Sequence, residues 1–324
     1  MSADGAALGT RLRERDLGAA PAALNLLEST APEDREQSAR LLGEVSPAAL
    51  GGEARGHVIG VTGPPGAGKS TLLSALLAAW RAQDRTVAIL AVDPSSRRSG
   101  GSLLGDRARI AFDPADRGVL IRSTAAGERL GGLSWATAAA AHALAAAFDV
   151  VVIETVGVGQ AETEVADVAD TVVVVVQPGG GDVLQFLKAG IMEIPDVLVV
   201  TKADIGEIAL HTTRELNAAL RSLGSDSTRA LAVSSLPPTS GIGELIAALE
   251  EHRLTIDLAE RRLRARRASA LSDFTHEHGE RGLRALGGRR AAEQLLEAQD
   301  RTLDTAALVA SLEQGADGSA GAGT

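Results

Sequence analysis

A glycine-rich stretch at residues 63–70, GPPGAGKS, has the composition and spacing of a phosphate-binding loop. It matches G-x-x-x-x-G-K-S, follows a β-branched run at 57–62 and precedes an apolar helical pattern, which is the context that the motif requires. Glycines at these positions let backbone N–H groups converge on phosphate oxygens, and the start of a helix adds its positive end. We predict that the following residues bind the phosphates of a nucleotide: Gly63, Pro64, Pro65, Gly66, Ala67, Gly68, Lys69, Ser70 and Thr71.

Acidic residues at strand ends would complete a magnesium site beside this loop. In such loops the lysine, here Lys69, reaches the β- and γ-phosphates, and the hydroxyl that follows, here Ser70, binds Mg²⁺. Mg²⁺ prefers hard oxygen ligands, and Asp93 and Glu154 each end a β-branched run, where parallel sheets place their ligands. Asp106, in the loop GGSLLGDRAR, is either a further ligand or a solvated loop carboxylate.

The stretch ETVGVGQAE at residues 154–162 resembles the D-x-x-G switch of GTPases, with Glu154 in place of the aspartate. In that pattern the Gly157 N–H contacts the γ-phosphate, and a glutamine that orients the attacking water often follows the glycine. Here Val158 follows it, and an apolar side chain cannot align water. We therefore expect slow unaided hydrolysis, with Gln160 as either a displaced substitute or an ordinary polar loop residue.

The identity of the base is predicted from TKAD at residues 201–204, which differs by one residue from the Asn-Lys-x-Asp motif of GTP-binding proteins. A carboxylate at Asp204 can accept from N1–H and the 2-amino group of guanine, whereas adenine would leave it unpaired. Lys202 can lay its stem along the base, and the Thr201 hydroxyl replaces part of the missing amide, so we expect weaker binding with unchanged specificity. A second loop resembles the Ser-Ala-x loop whose main chain meets guanine O6: Ser234, Ser235 and Leu236. GTP is the predicted nucleotide and ATP the alternative.

Short β-branched runs alternate with helical patterns through the middle of the chain and would position these motifs. The runs lie at 57–62, 86–92, 118–123, 150–155, 171–177, 197–201 and 230–235, and the helical patterns at 69–83, 134–148, 182–193 and 215–223. Because the runs show little polar alternation, we expect strands that are buried on both faces. The predicted fold class is α/β, a P-loop NTPase with a mostly parallel, doubly wound sheet and helical extensions at both ends.

The composition divides the chain into four predicted segments. Residues 1–55 form an N-terminal helical domain, 56–253 the P-loop GTPase domain, 254–312 a C-terminal helical arm and 313–324 a disordered Gly/Ala/Ser-rich tail. The arm carries more leucine and phenylalanine than a solvated appendage should expose, so we expect it to bury this surface against a second copy of the chain.

Composition also excludes several classes of protein. The 324 residues carry a net charge of −10, which argues against general binding of nucleic acid or anionic membranes. Cysteine is absent, which removes disulfides, thiolate zinc sites and cysteine nucleophiles. The longest aliphatic run, 172–176, is too short to span a bilayer, and no apolar signal core follows the early charges. We expect a soluble, cytoplasmic protein.

Taken together, the motifs resemble the MeaB/ArgK-type P-loop GTPases, the G-protein chaperones of methylmalonyl-CoA mutase and related cobalamin-dependent acyl-CoA mutases. The resemblance spans residues 20–312 and rests on GVTGPPGAGKSTLL, AVDPSSRRSGGSLLGDRARI, VVIETVGVGQAETEVAD, PGGGDVLQFLKAGIMEIPD and TKAD. It implies hydrolysis of GTP to GDP with Mg²⁺, coupled to delivery of adenosylcobalamin to a mutase and to that mutase's protection or reactivation. Methylmalonyl-CoA mutase is the first candidate for the partner.

The resemblance also implies a homodimer formed through the C-terminal arm and a switch region after PGGGD. Asp182, Gln185 and Lys188 lie in this region, with ordinary helix surface as the alternative. The sequence departs from the family pattern at Thr201 and Ser235, which concerns nucleotide affinity more than nucleotide identity. The candidate catalytic residues are Lys69, Glu154, Gly157, Gln160 and Lys188.

Three other functions compete with this interpretation. A metal-inserting GTPase would need a His/Cys cluster, whereas the histidines are scattered and the pair at 276 and 278 points to different sides of a helix. A P-loop small-molecule kinase or ATPase would use ATP, which Asp204 disfavours. A dimeric scaffold without hydrolysis is the third. The arginine-rich run at 261–267 is expected to be a solvated helix face or a dimer contact.

Overall fold

The computed structural model describes residues 4–93, 110–125, 133–155, 164–179, 195–222, 224–225 and 228–321, without the side chains of Asp93, Ala125 and 318–321. The chain divides into two compact units. The sheet unit consists of His57–Ser134 and Phe148–Ile256, and the helical unit of Met1–Gly56, Trp135–Ala147 and Asp257–Thr324. All of the described nucleotide motifs lie in the sheet unit.

Within the described residues, seven strands form one parallel sheet in the order β3-β2-β4-β1-β5-β6-β7. The strands are β1 His57–Thr62, β2 Val87–Asp93, β3 Val119–Ala125, β4 Val150–Glu154, β5 Thr171–Val176, β6 Val197–Val200 and β7 Arg229–Ala232. Every residue of β1, β4, β5 and β6 is buried, as continuous β-branched runs predict for strands covered on both faces. The predicted mostly parallel α/β fold is confirmed.

Helices cover the sheet, and the first of them fixes the phosphate-binding loop. Helix α5, Lys69–Arg81, follows β1 and buries apolar residues at helical spacing, from Leu72 to Trp80, in the same core as Ile59, Val152 and Val173. Helices α7, Glu207–Ser222, and α8, Ile242–Thr255, follow β6 and β7. The carboxyl ends of β1, β4 and β6 therefore lead directly into the predicted phosphate, metal and base motifs.

Aspartates fix the opposite, amino edge of the sheet. An aspartate precedes each of β4, β5 and β6, and its carboxylate accepts a backbone N–H from a neighbouring strand or from the residue before one. These bonds run from Thr86, Val58 and Val172 to Asp149, Asp170 and Asp196, each at 2.8 Å. Because these N–H groups would otherwise lose their partners at the strand ends, the aspartates stabilise the register that aligns the carboxyl ends.

A polar chain crosses the amino edge beside them. Thr171 Oγ1 lies 2.7 Å from His57 Nε2 and 2.8 Å from His252 Nδ1, and His252 Nε2 lies 3.1 Å from Asp196 Oδ1. The structure thus joins two histidines that are far apart in the sequence through one buried hydroxyl. The chain links β1, β5 and α8 at the edge remote from the nucleotide motifs.

The helical unit combines both ends of the chain with one internal helix. It contains α1 Gly5–Arg13, α2 Ala20–Leu27, α3 Pro32–Glu44, α4 Pro47–Leu50, α6 Trp135–Ala147, α9 Leu258–Ala285, α10 Arg289–Glu297 and α11 Thr305–Gly321. Helix α9 has a break at Gly279, where φ is 60° and ψ is −164°. Helix α6, which falls inside the predicted GTPase domain, packs with α1, α2 and α3 instead.

Six large apolar residues of the predicted C-terminal arm are buried within the chain itself. Leu271, Phe274, Leu283, Leu296, Leu308 and Leu312 form a core between α9, α10 and α11, each at most 5% exposed. This corrects the expectation that they need a second copy to cover them. Helix α11 also continues through Gly321, where a disordered tail from residue 313 was expected. At Gly315 this helix lies close to α10, since an added Cβ would lie 2.9 Å from Leu295 Cδ2.

The arginine-rich run corrects a second expectation, since two of its arginines are buried rather than solvated. Arg262 donates to the carbonyl oxygens of Ala54 and Gly56, both at 2.6 Å, and Arg266 pairs with Glu53 at 3.0 Å. These contacts hold the segment that precedes β1. Among the described residues no helix combines the length and apolar character that crossing a membrane requires.

Candidate functional site

The phosphate-binding loop is shaped by glycines between the end of β1 and the start of α5. Gly63, Gly66 and Gly68 have φ of 142°, 78° and 92°, a region that side chains disfavour. Gly63 also lies against β5, because a Cβ there would be 2.1 Å from the Val175 carbonyl oxygen. The loop therefore has the backbone shape that the motif predicts.

The loop lysine is bound to its own loop. Lys69 is the first residue of α5 and is 7% exposed, and its Nζ donates to the carbonyl oxygens of Gly63 at 2.6 Å and Pro64 at 3.2 Å. These carbonyls satisfy the ammonium group and hold it at the entrance of the loop. Of the other predicted phosphate residues, Pro65 and Thr71 are exposed and Ala67 is buried.

The structure brings two of the four predicted metal ligands together. Ser70 Oγ donates to Glu154 Oε1 at 3.0 Å, and Glu154 is 5% exposed at the end of β4. A hydroxyl beside a carboxylate is the hard-oxygen donor set that Mg²⁺ prefers, so these residues fit that ion. Asp93 is the last residue of β2, the strand that pairs with β4. The structure does not describe its side chain. Asp106 lies outside the described residues.

A pair of threonines that are not among the predicted site residues joins the ends of β1 and β4 beside this site. Thr155 follows Glu154, and its Oγ1 donates to Thr62 Oγ1 at 2.9 Å, while its backbone N–H donates to the Val61 carbonyl oxygen at 3.0 Å. The end of β4 is thereby fixed to the residue that precedes the phosphate-binding loop. A threonine at each strand end was the available signal, but β-branched residues are too common there to single it out.

The base motif is tied to the phosphate-binding loop by side chains. Thr201 is 2% exposed, and its Oγ1 lies 2.5 Å from the Ala67 carbonyl oxygen and 3.2 Å from that of Val176. Lys202 has a left-handed backbone, with φ of 54°, and its Nζ contacts the Gly66 carbonyl oxygen at 3.2 Å. The threonine that replaces the usual asparagine therefore still links the two motifs.

Gln177 is a second residue of the site that is not among the predicted ones. Its Oε1 accepts from Lys202 Nζ at 3.1 Å, directly after β5. The bond places the Lys202 ammonium group between the end of β5 and the phosphate-binding loop. Its only sequence signal was a polar residue at a strand end.

The predicted guanine-reading carboxylate is oriented by the neighbouring loop. Asp204 lies on a single 3₁₀ turn, Ala203–Ile205, and is exposed, while Ser234 Oγ donates to its Oδ1 at 3.2 Å. Ser234 is buried, Ser235 is half-buried and Leu236 is 57% exposed. The second base loop thus meets the first, as the motif predicts, and leaves the carboxylate open to a ligand.

Several predicted residues fall outside the described part of the chain. They are Gly157, Val158, Gln160, Asp182, Gln185 and Lys188. Their roles in the switch regions stay predictions.

The helical unit holds the one group of metal-ligand side chains found among the described residues, Glu277, His278 and Glu313, whose ligand atoms lie within 4.8 Å of one another. Arg35 binds both carboxylate oxygens of Glu277, at 2.9 and 2.5 Å, and His278 Nε2 lies 3.3 Å from Glu313 Oε1. The group is accounted for as an ion-pair network, and it gives no support to a metal-inserting function.

Comparison with known proteins identifies related GTPases. A putative GTPase of Pyrococcus abyssi is 42% identical over 266 residues, which cover 79% of this chain and 78% of that protein. The GTPase ArgK of Escherichia coli is 42% identical over 60% of this chain and 58% of its own length. The mitochondrial methylmalonic aciduria type A homolog of Mus musculus is 41% identical over 59% of this chain and 48% of its own. The matched segments thus span about half to three quarters of these relatives.

A solved structure extends the likeness to almost the whole chain. The crystal structure of a LAO/AO transport system kinase is 28% identical, covers 96% of each chain and superposes with a TM-score of 0.65. The family model described as methylmalonyl-CoA mutase-associated GTPase MeaB matches residues 20–283. With a glycine-shaped loop of the phosphate-binding type and this match over most of its length, the chain belongs to the MeaB family of GTPases.

Proposed function

We propose that this GTPase is specific for guanine, uses Mg²⁺ and has its turnover gated by a cobalamin-dependent acyl-CoA mutase. The observation that carries the guanine assignment is the bond from Ser234 Oγ to Asp204 Oδ1 at 3.2 Å. An exposed carboxylate held in one orientation can accept both guanine hydrogens, and adenine would leave it without a partner. Guanine nucleotides should therefore bind at least about tenfold more tightly than adenine nucleotides.

The phosphates are proposed to exchange partners with the loop. Lys69 leaves the carbonyl oxygens of Gly63 and Pro64 and donates to the β- and γ-phosphates. Ser70 and Glu154, whose Oγ and Oε1 lie 3.0 Å apart, would hold the ion, with Asp93 and Asp106 as further proposed ligands. Bound Mg²⁺ would neutralise charge on the phosphate oxygens. Removing Lys69 or Glu154 should therefore affect the triphosphate more than the base.

A partner is proposed to complete the alignment of the attacking water. Val158 occupies the position next to Gly157, and it offers no group that binds water. We propose that a mutase orders the switch segments and brings Gln160 or Lys188 toward the γ-phosphate. The family description and the mouse relative support methylmalonyl-CoA mutase as this partner. The role that follows is GTP-dependent delivery of adenosylcobalamin and protection or reactivation of the mutase.

We further propose a homodimer and a cytoplasmic location. The homodimer is supported by the family resemblance, since most of the apolar residues that suggested it, among them Leu271, Phe274 and Leu308, are buried within one chain. Light scattering at tens of micromolar tests it, and a monomer there would refute it. A cytoplasmic location rests on composition.

The decisive experiment measures steady-state phosphate release from GTP with and without the mutase of the same organism. We expect the mutase to raise turnover at least about tenfold. Gln160→Ala and Lys188→Ala should blunt this rise while the slow basal rate persists. Lys69→Ala should abolish hydrolysis, and Glu154→Ala should weaken GTP binding more than GDP binding.

Two controls separate the parts of the proposal. Asp204→Asn should shift preference toward xanthosine nucleotides, because an amide can donate to the 2-oxo group. Equal calorimetric affinity for ATP and GTP would reject guanine specificity. A mutase that co-elutes with the protein on gel filtration without stimulating turnover would reject gating and leave specificity intact.

A further inference from the structure

The bond between Thr201 and Ala67 fixes a peptide group of the phosphate-binding loop. Ala67 is fully buried, and its carbonyl oxygen accepts from Thr201 Oγ1 at 2.5 Å. A hydroxyl has one hydrogen to donate, and the alternative acceptor, the Val176 carbonyl oxygen, is farther away at 3.2 Å. The hydrogen therefore goes to Ala67.

The Ala67 carbonyl and the Gly68 N–H belong to the same peptide group. A trans peptide is planar, so its C=O and N–H point in opposite directions and turn together. When the Ala67 carbonyl oxygen is held toward Thr201, the Gly68 N–H must therefore point away from Thr201. In loops of this motif, such N–H groups are the donors to the phosphates.

Without that contact, the peptide group is restrained through its neighbours, since Ala67 N–H donates to the Pro64 carbonyl oxygen and Leu72 N–H to the Gly68 carbonyl oxygen. Turning it over changes ψ of Ala67 and φ of Gly68, and glycine adopts either sign of φ at similar cost. Gly68 has φ of 92° in the structure. The other tie between the loops, from Lys202 Nζ to the Gly66 carbonyl oxygen at 3.2 Å, comes from an exposed, long side chain and acts on the preceding peptide group.

We propose that Thr201 is a positioning residue for the phosphates and not for the base, although it lies in the base motif. Its hydroxyl holds the Gly68 N–H toward the phosphate of a bound nucleotide. The proposal rests on the guanine-nucleotide site described above. It predicts that loss of the hydroxyl weakens ligands that carry phosphates and spares guanosine.

Equilibrium dialysis of GDP and of guanosine against the full chain tests the proposal. Thr201→Val keeps the shape and removes the donor, and we expect it to weaken GDP by at least about tenfold, because a buried carbonyl is left unpaired. Guanosine affinity should stay within about threefold of the unmodified chain, a difference too small for a lost buried hydrogen bond. Thr201→Ser keeps the hydroxyl and should restore GDP affinity.

Thr212→Val is the matched control, since Thr212 is a buried threonine of the same unit whose hydroxyl bonds within α7. It should leave both affinities unchanged. If Thr201→Val does not fold, as judged by circular dichroism, Thr201→Ala with the serine variant replaces it. Equal losses for GDP and guanosine, or unchanged GDP affinity, would overturn the proposal. An unmodified chain that binds guanosine nucleotides no better than adenosine nucleotides would instead refute the guanine assignment.

Discussion

A half-buried carboxylate in the helical unit, Asp273, should make the stability of the chain depend on pH. Asp273 lies on α9, is half-buried, and its Oδ2 has no hydrogen-bond partner in the described structure. Burial, and next the charge of Glu277 one turn along the helix, raise the pKa of Asp273 from 3.8 to about 7. Arg35, bonded to both oxygens of Glu277, lowers the pKa of Glu277 and keeps that neighbouring charge in place.

The sign of the effect follows from which state holds the proton. Between about pH 4 and pH 7 the folded chain keeps a proton on Asp273 that the unfolded chain loses, so stability falls as the pH rises. The difference between 3.8 and about 7 corresponds to about 4 kcal/mol at most. Because the residue is half-buried, solvent screens part of this, and we expect about 1–2 kcal/mol.

Asp273→Asn removes the charge and keeps the shape. Relative to the unmodified chain, the free energy of unfolding of the variant should be little higher at pH 5 and about 1–2 kcal/mol higher at pH 8. Urea unfolding followed by circular dichroism across this range measures the difference. Glu280→Gln, an exposed carboxylate on the same helix, is the control and should show no such trend. A gain for Asp273→Asn that is constant with pH, or larger at pH 5, would refute the reasoning.

Other changes have effects that the contacts define. Thr171→Val removes the hydroxyl between two histidines and should cost about 1–3 kcal/mol in urea unfolding without changing GDP affinity. In Arg262→Lys, the lysine cannot bond both the Ala54 and Gly56 carbonyl oxygens, so we expect a similar loss of stability. An unchanged unfolding midpoint would show that these two bonds do not stabilise the fold. Gly63→Ala would place a Cβ 2.1 Å from the Val175 carbonyl oxygen and should abolish GDP binding or soluble expression. Gly243→Ala, in a helix with open space around it, is the control and should be neutral or slightly stabilising.

The sequence alone was sufficient for the sheet and the order of its motifs. Continuous β-branched runs are typical of strands buried on both faces of a parallel sheet, and GPPGAGKS follows the first of them. Sites that depend on a few adjacent residues, such as the phosphate-binding loop and TKAD, can therefore be predicted from the sequence alone. The family could also be predicted, because several such motifs follow one another along the chain in the order that the family shows.

What covers an apolar face was decided only by the tertiary structure. The spacing of Leu271, Phe274 and Leu308 shows that their helices have apolar faces, but it cannot say whether a second copy or the same chain covers them; here the same chain does. Likewise, nothing near Thr201 in the sequence indicates that its hydroxyl meets Ala67, 134 residues away. Contacts between distant segments depend on how whole elements pack, and a local pattern holds no information about that packing.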